Sequence, residues 1–287
     1  MRVCSLLPSA TEIVAQLGRI DWLVGVSEEC RWPPEVVGKP VVTAARIDPS
    51  SLTSLEIDAA VRASLVDGGS LYAVDADLIS ELDPELIITQ DLCSVCAVSS
   101  TELVDACPVG AEVVSLDPRT LGEVAASVQL LAERLGAVAE GERIAAHMRS
   151  SIEETAELVR DRLLRRVFFA EWLDPPFCAG HWVPEMIALA GGRDVIGVAA
   201  TPSRSVTWAE VAELDPELVI LGPCGFGAEE AAERAAGFPF PCPTVAVDGD
   251  SYFSRPAPRL AEGVRQLAHL FHPGASPDPS HPEIWLK

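Results

Sequence analysis

Glu81-Leu82-Asp83-Pro84-Glu85-Leu86-Ile87-Ile88-Thr89-Gln90 returns further along the chain as Glu213-Leu214-Asp215-Pro216-Glu217-Leu218-Val219-Ile220-Leu221-Gly222. The offset, 213 minus 81, is 132 residues. Each copy reads as the end of a helix, an Asp-Pro break, and a short apolar, β-branched run suited to a buried parallel strand. The next apolar runs, Ala111 to Leu116 and Pro243 to Asp248, keep the same spacing: 115 minus 90 and 247 minus 222 are both 25. Each half also opens on a basic residue and an apolar run, Arg2 to Leu7 in one and Arg166 to Ala170 in the other. The repeat predicts two similar α/β lobes, with any shared site where the first polar residues after these strands meet. Chance recurrence of a common helix-proline-strand phrase is the competing explanation.

The 287 residues allow one large domain or two ordinary ones with real cores. Apolar residues make up 48% of the chain in scattered runs, none of which reaches the length of a membrane span. Forty-three acidic residues face 21 basic ones, for a formal charge of −22. Such a surface repels nucleic-acid phosphates and anionic membranes, and no basic cluster counters it. Lys39 and Lys287 are the only lysines, so a compositional background explains the charge as well as function does. Met1 to Leu17 carries one basic residue, a short apolar run and then helix-start grammar. Met1 is therefore read as close to the native start and the chain as cytoplasmic; a periplasmic or extracellular location would need an export segment ahead of it.

The boundaries read as an N-terminal lobe over 1–136, a linking helix over 137–165, a C-terminal lobe over 166–273 and a loosely held tail over 274–287. The helical pattern itself runs from about Ala139 to Leu164, which at 1.5 Å per residue is roughly 39 Å.

Polar residues gather after the predicted strands. Ser9 and Glu12, with Thr11 between them, form a capping-box pattern whose free N–H groups could instead hold a carboxylate or phosphate. Glu28, Glu29, Cys30 and Trp32 precede Pro33-Pro34 in a loop that suits either ligand contact or a rigid connection. Gln90 and Asp91 follow the first repeated strand and lead to Cys93-x-x-Cys96, a pair suited to zinc, disulfide exchange or buried structural thiols. A metal shell there would need a distant Cys30, Cys224 or His181.

The densest polar-aromatic stretch is Glu171 to Glu185. Trp172, Asp174, His181 and Trp182 suit a flat or bulky ligand, and Gly180 would let backbone approach something closely. Gly222 to Gly227 has neither dinucleotide-binding nor phosphate-loop spacing. Tyr252, Phe253 and Arg255 follow the last strand of the repeat; Arg255 would read an anionic group or neutralise Asp250.

Ser5 to Glu12, Trp172 to Pro175, Gly180 to Glu185 and Tyr252 to Pro256 together resemble the cobalamin-binding branch of the periplasmic binding proteins that serve metal-chelate ABC transporters. The resemblance spans Arg2 to Pro273. It implies two Rossmann-like α/β lobes joined by one long helix, the helical-backbone metal-receptor fold, with a corrinoid or other metal chelate held in the inter-lobe cleft and passed to a permease. His181 would be a direct or indirect ligand of the metal centre, and Trp172, Trp182, Tyr252 and Phe253 would supply stacking surface. The competing functions are an intracellular thiol- or metal-dependent enzyme and a zinc or iron sensor or chaperone on the same scaffold, built on Cys93, Cys96, His181 and Cys224.

Overall fold

A computed structural model describes residues 1–66, 71–92, 98, 108 and 110–286. In chain order its strands are β1 (Val3–Ser5), β2 (Leu23–Val26), β3 (Thr43–Ala45), β4 (Tyr72–Val74), β5 (Leu86–Thr89), β6 (Glu112–Ser115), β7 (Arg165–Leu173), β8 (Pro176–Cys178), β9 (Gly192–Asp194), β10 (Leu218–Leu221), β11 (Thr244–Val247) and β12 (Glu283–Leu286). The helices are α1 (Pro8–Gln16), α2 (Ser54–Val66), α3 (Ala76–Leu82), α4 (Leu121–Arg134), α5 (Val138–Val159), α6 (Val183–Leu189), α7 (Trp208–Glu213), α8 (Ala228–Arg234), α9 (Gly249–Tyr252) and α10 (Leu260–Phe271).

Two compact units divide the chain. The first holds Met1–Leu52, Glu56–Pro118 and Ala126–Ile144; the second holds Thr53–Leu55, Arg119–Ala125 and Ala145–Lys287. Helix α5 is thus shared, and two short segments expected in the N-terminal lobe belong to the second unit. The helix stops at Val159 rather than near Leu164, giving about 33 Å at the standard rise. Leu163 and Leu164 are largely exposed where the chain turns out of the helix towards β7, so no apolar face extends it.

The first unit carries a parallel sheet in the order β2-β1-β5-β6 and a small antiparallel pair, β3-β4. Its core packs Leu7, Ile13, Val14, Leu86, Ile88, Val128 and Leu131 together, which is why β5 reads as a continuous apolar run. The second unit's sheet runs β12-β11-β10-β7-β8, with β9 on β7. Strands β7, β9, β10 and β11 are mutually parallel where they pair, whereas β8 and β12 are antiparallel additions. The stretch expected to be a loose tail therefore contains an edge strand, with Thr244 to Val247 paired against Leu286 to Glu283.

Both repeated phrases do the same structural work. Asp83 caps α3 at φ 44° and Asp215 follows α7 at φ 48°, left-handed conformations that stop each helix before its proline. Arg2 donates from Nε to the Asp83 carbonyl at 2.7 Å and from Nη2 to its carboxylate; Arg166 donates from Nη2 to the Asp215 carbonyl at 2.7 Å and to its carboxylate at 2.8 Å. The Arg2 backbone N–H donates to Glu85 Oε2 at 2.7 Å, and that of Arg166 to Glu217 Oε2 at 2.8 Å. The basic residue opening each half, and the Asp and Glu of the phrase, are one clasp written twice. It sets Val3 opposite Leu86 and Val167 opposite Leu218.

These clasps are solvent-exposed, so Arg166→Gln is expected to cost about 1 kcal/mol or less. Phe168→Ala, which empties a fully buried site between Trp208 and the sheet, is expected to cost roughly 3–5 kcal/mol. Urea unfolding followed by circular dichroism checks both values.

Candidate functional site

In a parallel sheet the backbone groups at the C-terminal strand ends are free to bind, and the polar residues after β7, β10 and β11 in the second unit gather there. Strand β7 runs two residues past Glu171 and turns back through Asp174-Pro175 into β8, which carries Trp172 out on a hairpin. The Trp172 indole N–H donates to the Ser54 carbonyl at 3.1 Å, and its half-buried ring lies 5.5 Å from that of Phe226. Asp174 sits half-buried at the hairpin turn.

His181 follows at φ 49°. Its N–H donates to Thr201 at 2.6 Å and its carbonyl accepts from Ala200 at 2.8 Å, so a short backbone ladder holds this unusual conformation. The half-buried imidazole lies 5.7 Å from the Trp182 ring. Burial, with Arg119 adding to it, pulls its pKa below the ordinary histidine value, so the ring is neutral at pH 7 with a lone pair to offer.

Trp182 is buried and donates its indole N–H to the Phe253 carbonyl at 2.7 Å, tying the start of α6 to the end of α9. Phe253 is 1% exposed and packs 5.1 Å from Phe169. Both aromatics are buried in the second unit, where the sequence reading expected stacking surface. Tyr252 is half-exposed, but His281 stacks on it at 4.2 Å. Arg255 grips Asp250 from Nε at 3.0 Å and from Nη2 at 2.8 and 2.7 Å. A bidentate pair this buried fixes the loop after α9.

Gly180 does meet a close neighbour, though the neighbour is the chain itself: a Cβ there would lie 2.3 Å from the Ser203 nitrogen. Its N–H donates to Glu171 Oε1 at 2.8 Å, a partnership that the sequence did not advertise.

In the first unit, α1 begins at Pro8 with Leu7 as its cap and no side-chain capping bond. Ser9 therefore sits inside the helix, its buried hydroxyl without a partner among the described residues, and the expected Ser9–Glu12 box does not form. A capping box does form elsewhere, at Thr207 and Glu210. Thr11 is fully buried and donates to Ser5 Oγ at 2.8 Å and towards Cys30 Sγ at 3.0 Å, and Glu12 is buried as well, accepting from Gln16 at 3.3 Å. All three are buried in this unit. Gln90 is buried, while exposed Asp91 donates its N–H to Asp117 Oδ1 at 2.6 Å.

Of the proposed metal ligands, Cys93 and Cys96 lie outside the described residues. Cys224 is exposed, with its N–H donating to the Glu171 carbonyl at 3.0 Å. Among the described residues no three His, Cys, Asp or Glu side chains converge as a metal shell. Burial pushes the thiols of Cys178 and Cys242 up and that of Cys4 to about 12, so all three stay protonated and unreactive at neutral pH. Sequence reasoning did not single out Phe226 or His281, because nothing local marks an aromatic in a glycine-rich loop or a histidine whose partner Tyr252 lies 29 positions away (281 minus 252).

Asp194 ends β9 with its carboxylate buried; Oδ1 accepts from Ile196 and Gly197 at 2.8 and 2.5 Å, and the Phe169 N–H also stabilises the carboxylate. Burial raises its pKa to about 6. The folded state thus holds a proton that the unfolded state has lost between pH 3.8 and about 6, so this group's contribution to stability falls as pH rises through that window. Asp194→Asn is expected to raise stability by roughly 1–3 kcal/mol at pH 7.5 and to change it little below pH 4. Thermal melts of both proteins across that range check the crossover.

The architecture and residues match known proteins along most of their length. The vitamin B12-binding protein of Vibrio cholerae serotype O1 is 22% identical over 276 residues, covering 93% of this chain and 87% of that protein. The crystal structure of the periplasmic vitamin B12-binding protein BtuF of Vibrio cholerae superposes with a TM-score of 0.68 at 21% identity, covering 94% of this chain and 96% of that one. A periplasmic heme-binding protein from Pseudomonas aeruginosa superposes at 0.73 with 18% identity, covering 96% and 94%. These structures share the helix-linked, two-lobed α/β fold expected of this chain. The model of the periplasmic binding protein family matches residues 3–238, and the chain belongs to that family.

Proposed function

We propose that this chain is a non-catalytic binding protein for a cobalamin-like corrinoid, with other metal chelates such as heme as the neighbouring ligand class. The observation that carries the reading is the Trp172 ring, pinned but half-exposed on the β7–β8 hairpin, with the neutral imidazole of His181 following β8 on the way into α6. A rigid aromatic plate accepts a macrocycle at low entropic cost, and a neutral imidazole can ligate cobalt or iron, or hydrogen-bond a group on the macrocycle's edge. Relatives named for vitamin B12 binding support the corrinoid over heme. The raised thiol pKa values speak against a thiol enzyme at Cys4, Cys178 or Cys242. Zinc or iron at His181, Cys224 or the Cys93–Cys96 pair is a matter for metal analysis of the purified protein.

The natural partner in this reading is an ABC permease that receives the chelate. No helix among the described residues is long and apolar enough to cross a membrane. Similar proteins are named as periplasmic, which favours export over the expected cytoplasmic location, and fractionation of the source cell separates the two.

Cyanocobalamin is expected to bind in the micromolar range or tighter by isothermal titration calorimetry; absence of heat and of retention in equilibrium dialysis would sink the corrinoid reading. Trp172→Ala is expected to weaken binding at least about tenfold. With aquocobalamin, ligation by His181 predicts a shift in the visible corrinoid bands that His181→Ala abolishes. Equal spectra for the two proteins would confine His181 to a contact role.

A further inference from the structure

We propose that Arg234, acting through Phe226, is a positioning residue that sets the Trp172 ring for its ligand. The inference rests on the chelate-binding reading of Trp172 and assigns the part of the second unit that holds that ring in place. Trp172 is fixed along one edge by its indole N–H bond to Ser54, and a single edge bond leaves the ring free to rock about it. What stops the rocking is Phe226, 7% exposed, whose ring centre is 5.5 Å from that of Trp172 at an interplanar angle of 37°.

Phe226 is itself clamped. The Arg234 guanidinium carbon lies 4.4 Å from the Phe226 ring centre, inside the range in which a cation is held by an aromatic face. The guanidinium is in turn oriented by Glu230, which accepts from Nε at 3.0 Å and Nη2 at 2.9 Å across one turn of α8. The Phe226 backbone is anchored too: its N–H donates to Pro223 at 3.2 Å, and its carbonyl accepts from Asp250, the residue that grips Arg255, at 3.1 Å. A continuous row, Glu230 to Arg234 to Phe226 to Trp172, therefore runs from α8 to the β7–β8 hairpin. Phe226 is where it meets the Asp250–Arg255 pair.

Arg234 is 13% exposed, so its cation sits on Phe226 with little competing water. A glutamine there keeps a polar head and much of the stem but loses the charge. Lysine keeps the charge and loses the planar fork that Glu230 orients.

The test compares Arg234→Gln, Arg234→Lys and Phe226→Leu with the unaltered protein. Trp172 is read in the ligand-free state as the difference in emission and acrylamide quenching between each protein and its own Trp172→Phe counterpart. Cyanocobalamin affinity is read by calorimetry, with circular dichroism confirming the fold. The expected result is greater quenching of Trp172 and roughly 3- to 10-fold weaker binding in Arg234→Gln and Phe226→Leu, with Arg234→Lys recovering most of both. Unchanged quenching in folded Arg234→Gln overturns the proposal, and so does increased quenching with unaltered affinity. If Arg234→Gln does not fold, Arg234→Lys and Phe226→Leu decide it by the same readings. If the unaltered protein binds no cyanocobalamin, the corrinoid reading fails, while ligand-free quenching still decides whether Arg234 sets Trp172.

Discussion

An arginine closing on an Asp-Pro-Glu turn organises each half of this protein. Arg2 and Arg166 stand one residue before the first core pairing of their sheets, and each gathers an aspartate at positive φ and a glutamate on the far side of the proline. In energy the contact is minor, because its members are exposed and water competes for them. Its importance is geometric. The aspartate ends the helix, the proline prevents its continuation, and the glutamate accepts the backbone N–H that would otherwise be unpaired where the strand begins. With the first strand and the repeated strand in register at their N-terminal ends, they pair up to Ala170 opposite Leu221 in the second unit, beyond which β7 runs on to Leu173. The polar loops then open from one edge.

The loops at that edge are held by bonds that replace what a sheet would have supplied. Glu171 receives the Gly180 N–H, Trp182 donates to Phe253, Asp250 secures Arg255, and a backbone ladder fixes His181. Each is internal to the second unit, and together they leave few side chains free to move. Under the proposed function, such a rigid rim would fit a ligand against a preset surface, which suits a large rigid macrocycle better than a small flexible metabolite. The buried thiols add nothing reactive to it.

The first unit treats similar residue types differently. Ser5, Thr11 and Cys30 bond to one another inside it, and Ser27 accepts from Thr43, so the hydroxyls that end these strands look inward and stiffen the rim. Thr11, expected to face a ligand, thus satisfies buried polar groups, whose isolation would be costly.

The repeat, the helix stops at Asp83 and Asp215, the strands that follow them and the family were legible in the residues, because periodicity, proline and short-range spacing act locally and leave a local trace. The crowding of candidates between Glu171 and Glu185 was legible for the same reason. Exposure was not. Trp182 and Phe253 looked as available as Trp172, and only packing shows that two of the three are buried. Arg255 was balanced between ligand and Asp250, and Gly180 between ligand and its own chain, until the distances were set. The edge strand Glu283–Leu286 was hidden in a proline-rich tail because pairing with β11 depends on where that strand's free edge lies. Phe226, Arg234 and Glu230 carried no motif at all. Their partners are brought to them by the sheet, and contacts between residues distant in sequence exist only once the chain has folded.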